Sequence, residues 1–113
     1  MEYRHNRRAF PRWPVSFQLR YGQGKERSAG VGCEIGQAGL SFMTTEPPPE
    51  QAEIDVEYRL RPTDEGWVVV KGVVRHVERE RVGVEFLTLR LIDRVNIVHF
   101  IAGVVGKSAA TSA

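Results

Sequence analysis

The chain has 113 residues, 42% apolar and 27% charged, with 16 Lys and Arg against 14 Asp and Glu for a net charge of +2. That length supports one domain around one hydrophobic core, and the balance excludes a disordered chain. No segment approaches the ~20 apolar residues of a bilayer span, the basic N-terminus lacks the apolar run of a secretory signal, and the single cysteine, Cys33, has no partner, so the expected location is the cytoplasm without membrane insertion.

The chain opens on Tyr3-Arg4-His5-Asn6-Arg7-Arg8-Ala9-Phe10-Pro11-Arg12-Trp13-Pro14, with four arginines and three aromatics. Residues 1 to 12 hold four basic side chains against one acid, and the rest of the chain holds twelve against thirteen, so the excess charge is local. Residues 1 to 13 read as a basic arm. Arginine offers a planar fork for phosphate or a guanine edge and a flat face for stacking, which suits a small anionic ligand with a π-system. A solvated terminus is the alternative for an isolated basic run. Phe10 and Trp13 are expected to anchor the arm on the body rather than to stack a base.

Periodicity two follows. Val15, Phe17, Leu19 and Tyr21 alternate with Ser16, Gln18 and Arg20, the pattern of a half-buried strand, which ends at Gly22-Gln23-Gly24-Lys25. A second strand with a weak pattern is predicted over residues 26 to 33, with Cys33 at its end as a small buried apolar residue rather than a reactive thiol. Strand character restarts at Leu40-Ser41-Phe42-Met43-Thr44, and Pro47-Pro48-Pro49 then forbids regular pairing. Ile54, Val56, Tyr58 and Leu60 alternate with Asp55, Glu57 and Arg59 in the cleanest strand signal of the chain. Residues 67 to 77 and 82 to 87 read as a hairpin, with Glu78-Arg79-Glu80-Arg81 as its charged connection.

The tail changes period. Leu91, Val95, Val98, Ala102 and Val105 recur every three or four residues, as on one face of an amphipathic helix over about residues 89 to 104. Gly103 or Gly106 is its expected end, and residues 106 to 113 read as a flexible tail. Six strands and one helix give an all-β dominated fold over residues 14 to 105, a six-stranded antiparallel barrel with the C-terminal helix packed against it or over one open end.

The sequence contains no nucleophile beside an evident base, no GxSxG elbow and no phosphate-binding glycine loop, so an enzyme is not expected. His5, His76 and His99 have no metal-ligand spacing with one another or with Cys33, and neither metal nor cofactor is expected. A nucleic-acid module is disfavoured because the body outside the arm is net −1 and has no basic stripe.

Arg8-Ala9-Phe10-Pro11-Arg12 before the first strand, the turn Gly36-Gln37-Ala38-Gly39-Leu40-Ser41-Phe42, then Gly72-Val73-Val74-Arg75 and Val82-Gly83-Val84-Glu85-Phe86 together resemble a PilZ domain from about Arg7 to Gly103. The resemblance implies a six-stranded barrel that binds cyclic di-GMP through an RxxxR pair before the first strand and a (D/N)xSxxG motif between the second and third strands. Arg8 and Arg12 match the first motif. Arg4 shares the spacing with Arg8, and Arg4 and Arg7 are secondary candidates. The second motif reads Glu34-Ile35-Gly36-Gln37-Ala38-Gly39, so its last glycine is kept, Glu34 is one methylene longer than the expected acid or amide, and Gly36 lacks the expected hydroxyl. The implied ligand site is Arg8, Arg12, Glu34, Gly36 and Gly39.

Losing one or two polar contacts costs about 0.5–3 kcal/mol, or roughly ten- to a hundredfold in affinity. Gly36 and Gly39 are also expected to serve a tight turn at positive φ. Glu34 has an alternative as a partner for an arm arginine in the absence of ligand. Two functions remain: a cyclic di-GMP receptor module signalling to an effector protein in trans, or an adaptor of the same fold that no longer binds the nucleotide effectively and acts by protein contact.

Overall fold

A computed structural model describes residues 12–112, with side chains to residue 106. The elements are β1 (Trp13–Gly22), β2 (Ser28–Ile35), β3 (Gly39–Met43), β4 (Glu53–Arg59), β5 (Val68–Glu78), β6 (Arg81–Phe86) and α1 (Leu91–Ser112). The strands close into an antiparallel barrel in the order β1-β2-β3-β6-β5-β4, with β1 pairing to both β2 and β4. Closure leaves no strand edge unpaired.

Alternation fills the barrel. Phe17, Leu19 and Tyr21 of β1 point inward and meet Ile54, Val56 and Tyr58 of β4, Leu40 and Phe42 of β3, and Val82 and Val84 of β6 in one buried cluster. The rings of Phe17 and Tyr58 pack edge to face at 6.1 Å, and those of Tyr21 and Phe42 lie 4.8 Å apart. On the outside, the β1–β4 seam is clasped by Glu57, which accepts hydrogen bonds from Arg20 and from Arg27, each at 2.8 Å.

The second strand explains its own weak pattern. A methyl group on Gly32 would lie 2.2 Å from the Phe17 ring, so β2 gives up a side chain to make room for β1. A bulge between Gly32 and Glu34 then shifts its register on β3, and the strand runs to Ile35, two residues beyond the expected end. Trp13, assigned to the arm from sequence, is the first residue of β1, where it pairs with Ile35 and stays exposed.

The helix departs from expectation in two ways. It continues past Gly103 and Gly106 to Ser112. Its contact with the barrel is made by Asp93 and Ile97, both buried, with Phe100 and Ile101 partly buried beside them. The stripe that carried the helical period, Leu91, Val95, Val98 and Val105, is exposed instead, and so is Ala102. Among the described residues no helix is long and apolar enough to cross a membrane.

Candidate functional site

The second arginine of the arm motif lies flat on the barrel wall. Arg12 sits one residue ahead of β1, and its guanidinium reaches across β3 and β6. Its Nη1 donates to the carbonyl of Leu40 at 3.1 Å and to Ser41 Oγ at 3.0 Å, while Nη2 donates to the carbonyl of Val84 at 3.0 Å. Leu40 and Val84 face each other in the β3–β6 ladder, so one side chain binds both strands of that pair. A planar fork with fixed donors suits this, since its two terminal nitrogens reach the two carbonyls separately.

Gly39 is what permits the approach. A Cβ at this position would stand 2.1 Å from the Val84 carbonyl oxygen and 2.6 Å from Arg12 Nη2. The glycine kept from the second motif therefore serves close packing of backbone and arginine. Positive φ is not its reason, nor that of Gly36: among the described glycines only Gly24 adopts it. The tight connection from β2 to β3 is held by the Gly36 N–H donating to the Gly39 carbonyl at 2.9 Å, and by the Phe86 N–H donating to the Ala38 carbonyl at 2.8 Å.

Glu34 joins the same cluster from β2. It stands opposite Ser41 in the β2–β3 ladder, and the Ser41 hydroxyl, buried at 3% exposure, donates to Glu34 Oε1 at 3.0 Å. The other carboxylate oxygen, Oε2, pairs with Arg81 Nη2 at 3.0 Å. A chain of contacts thus runs from Arg12 through Ser41 and Glu34 to Arg81. Among the described residues, Glu34 is linked to Arg12 of the arm through Ser41. For Arg81, burial pulls the pKa down, and the hydrogen bond to Glu34 and nearby anionic charge more than offset it. Burial raises the pKa of the half-buried Cys33 thiol, with Arg81 opposing, so it stays protonated at neutral pH and is a poor nucleophile.

The structure thus brings Arg12, Glu34, Gly36 and Gly39 together at the β2–β3 connection and adds two residues that sequence reasoning missed, Ser41 and Arg81. Arg4, Arg7 and Arg8 lie outside the described residues, as do His5 and Phe10. A cavity of about 550 Å³, lined in part by Phe17, Leu19, Gly30, Leu60 and Trp67, lies away from this cluster. The cluster is half-buried and combines a guanidinium, a carboxylate and a buried hydroxyl, groups that hydrogen-bond and ion-pair. No group of three or more His, Cys, Asp or Glu side chains that could hold a metal occurs among the described residues.

The comparisons with known proteins agree on the fold. The family model described as the PilZ domain matches residues 6–103. Among solved structures, the Bacillus subtilis inhibitor of motility superposes with a TM-score of 0.73 at 14% identity, covering 89% of this chain and 52% of that one. The K. pneumonia MrkH complex with c-di-GMP gives 0.73 at 18% identity, with 93% and 55% covered, so the chain spans about half the length of these two proteins. The PilZ domain of YcgR from Escherichia coli, solved with c-di-GMP, gives 0.73 at 11% identity, with 94% and 97% covered. No curated protein matches the sequence.

Proposed function

Because the chain belongs to the PilZ domain family, we propose that it is a receptor module for cyclic di-GMP, gripped by Arg8 and Arg12 beside Glu34, Gly36 and Gly39, and that it passes the signal to an effector protein in trans. The observation that carries this reading is the seat of Arg12 on Gly39. The last arginine of the first motif and the last glycine of the second are in contact, so the two halves of the motif pair converge on one surface patch. Two of the solved structures with this fold hold c-di-GMP, which supports the choice of ligand. The role is binding rather than catalysis, and the reading carries a cytoplasmic location with it.

The division of labour differs from a simple pair of clamps. Arg12 already satisfies three acceptors of the barrel, so its first task is to fix where the arm meets the wall. Arg8, four residues earlier, then supplies a charge-assisted contact to phosphate or guanine. Glu34 can accept from a guanine N–H edge, and Gly36 leaves the connection without the family hydroxyl.

The adaptor reading retains one specific support. Glu34 is engaged on both oxygens, by Ser41 and by Arg81, and a ligand must displace or share these bonds. Calorimetric titration of the full chain with cyclic di-GMP decides between the two. Saturable binding in the micromolar range or tighter supports the receptor, and no heat at high micromolar ligand, with the chain folded, leaves the adaptor.

A further inference from the structure

The C-terminal helix carries two apolar faces, and the barrel uses one. At 3.6 residues per turn, the packed set of Asp93, Ile97, Phe100 and Ile101 and the exposed set of Leu91, Val95, Val98, Ala102 and Val105 point about 140° apart round the axis. The exposed set follows the spacing 4-3-4-3 over two heptads, the spacing of an a/d seam, narrower than the stripe of a helix lying on its own core. Leu91 is 76% exposed and Ile92, flanking the seam, 56%.

One glycine of this helix, Gly106, points the same way. Glycine inside a helix costs about 1 kcal/mol relative to alanine. A Cβ on Gly106 would meet nothing within 4 Å in this chain, so its own barrel gives no reason for the missing side chain. Gly106 stands one turn after Ala102 along the edge of the seam. Two small residues four apart let a second helix approach closely.

We propose that this seam pairs with the same seam of a second copy of the chain, the two helices running antiparallel. The choice of a second copy rests on charge and area. Between residues 91 and 106, Arg94 is the one charged side chain beside the seam, since Asp93 is turned to the barrel. A single flanking charge offers a charged foreign partner little to recognise, and in an antiparallel pair the two copies of Arg94 lie toward opposite ends. Opposed helix dipoles add to the preference. Covering the seam and its flanks on two copies removes on the order of 1,000 Å² from water, the size at which specific interfaces begin. The proposal is independent of nucleotide binding.

Sedimentation equilibrium or light scattering on the full chain without nucleotide tests it. The expected mass at about 100 μM, well above a micromolar dissociation constant, is twice the 12.8 kDa of the chain. Val98→Glu and, separately, Val95→Lys place a charge at the seam on an exposed position and should weaken the dimer roughly a hundredfold or more while the melting of the barrel persists. A parent that is monomeric at that concentration overturns the proposal, and one that is monomeric yet sediments with anionic phospholipid vesicles assigns the face to a membrane instead. Variants that fold and remain dimeric place the contact elsewhere and overturn it equally.

Discussion

Ser41 stands between Arg12 and Glu34, accepting a hydrogen bond from the arginine and donating one to the carboxylate, each at 3.0 Å. A hydroxyl is the smallest group that does both at once. Its burial means that neither charged neighbour can replace it with bulk water at that point.

Ser41→Ala is therefore expected to destabilise the fold by about 1–3 kcal/mol, the cost of leaving a buried or charged partner unsatisfied. Ser41→Thr keeps the hydroxyl and should recover part of the loss. Urea denaturation of the three proteins measures the difference, and an alanine variant as stable as the parent would remove Ser41 from the arm's anchorage.

Arg8 and Arg12 should separate by what their loss does. Arg8→Ala is expected to lower cyclic di-GMP affinity at least about tenfold, the value of one charge-assisted contact, with the melting transition unchanged. Arg12→Ala is expected to lower affinity and also stability, because three acceptors on β3 and β6 lose their donor. Parallel calorimetry and thermal melting check both, and equal behaviour of the two variants would contradict the assignment of Arg12 as the anchor.

Gly39→Ala and Gly103→Ala should move stability in opposite directions. At Gly39 the new methyl would press on the Val84 carbonyl and the Arg12 guanidinium, and overpacking of this kind costs about 1–3 kcal/mol. At Gly103 the methyl enters open space on a helix, where alanine is worth about 1 kcal/mol over glycine. Melting temperatures of the two variants against the parent give the sign directly.

Restoring the family pattern with Gly36→Ser and Glu34→Asp should tighten binding by about tenfold for each recovered polar contact. Gly36 is not at positive φ, so serine meets no penalty of that kind there. A folded double variant that still fails to bind the nucleotide would sink the receptor reading.

Glu57 sets an acid limb of stability. The hydrogen bond from Arg27, aided by Arg20 and opposed by burial, holds its pKa below the ordinary carboxylate value. A folded-state pKa below the unfolded one contributes stability that is present above about pH 4.3 and is lost as pH falls through the folded pKa. The parent should therefore lose stability between about pH 5 and 3 more steeply than Glu57→Gln, read by denaturant midpoints across that range.

The barrel was legible because its signal is local. Phe17, Leu19 and Tyr21, or Ile54, Val56 and Tyr58, declare an inward face within five residues, and the structure buries all six. The family resemblance was equally legible and singled out Gly39, but not the packing it serves, since the Val84 carbonyl that it accommodates is 45 residues away in the chain. Ser41 and Arg81 were read as parts of a strand and of a charged turn. Their role arises from β2, β3 and β6 lying side by side, and no spacing within one segment encodes it. The helix misled for a different reason: both of its faces are apolar at helical period, and periodicity alone does not say which one the barrel covers.

The seat of Arg12 also fixes an order of events. Its acceptors among the described residues belong to residues 40, 41 and 84, so the groove that receives it does not exist until β6 has paired with β3. Closing that contact spans 72 positions of chain, and long closures come after the local hairpins that make them worthwhile. Seating of the Arg12 side chain is therefore expected to follow the rate-limiting barrier of folding. Removing the Arg12 guanidinium should speed unfolding while leaving the refolding rate alone, and the exposed indole of Trp13, next along the chain, offers a fluorescent clock for it.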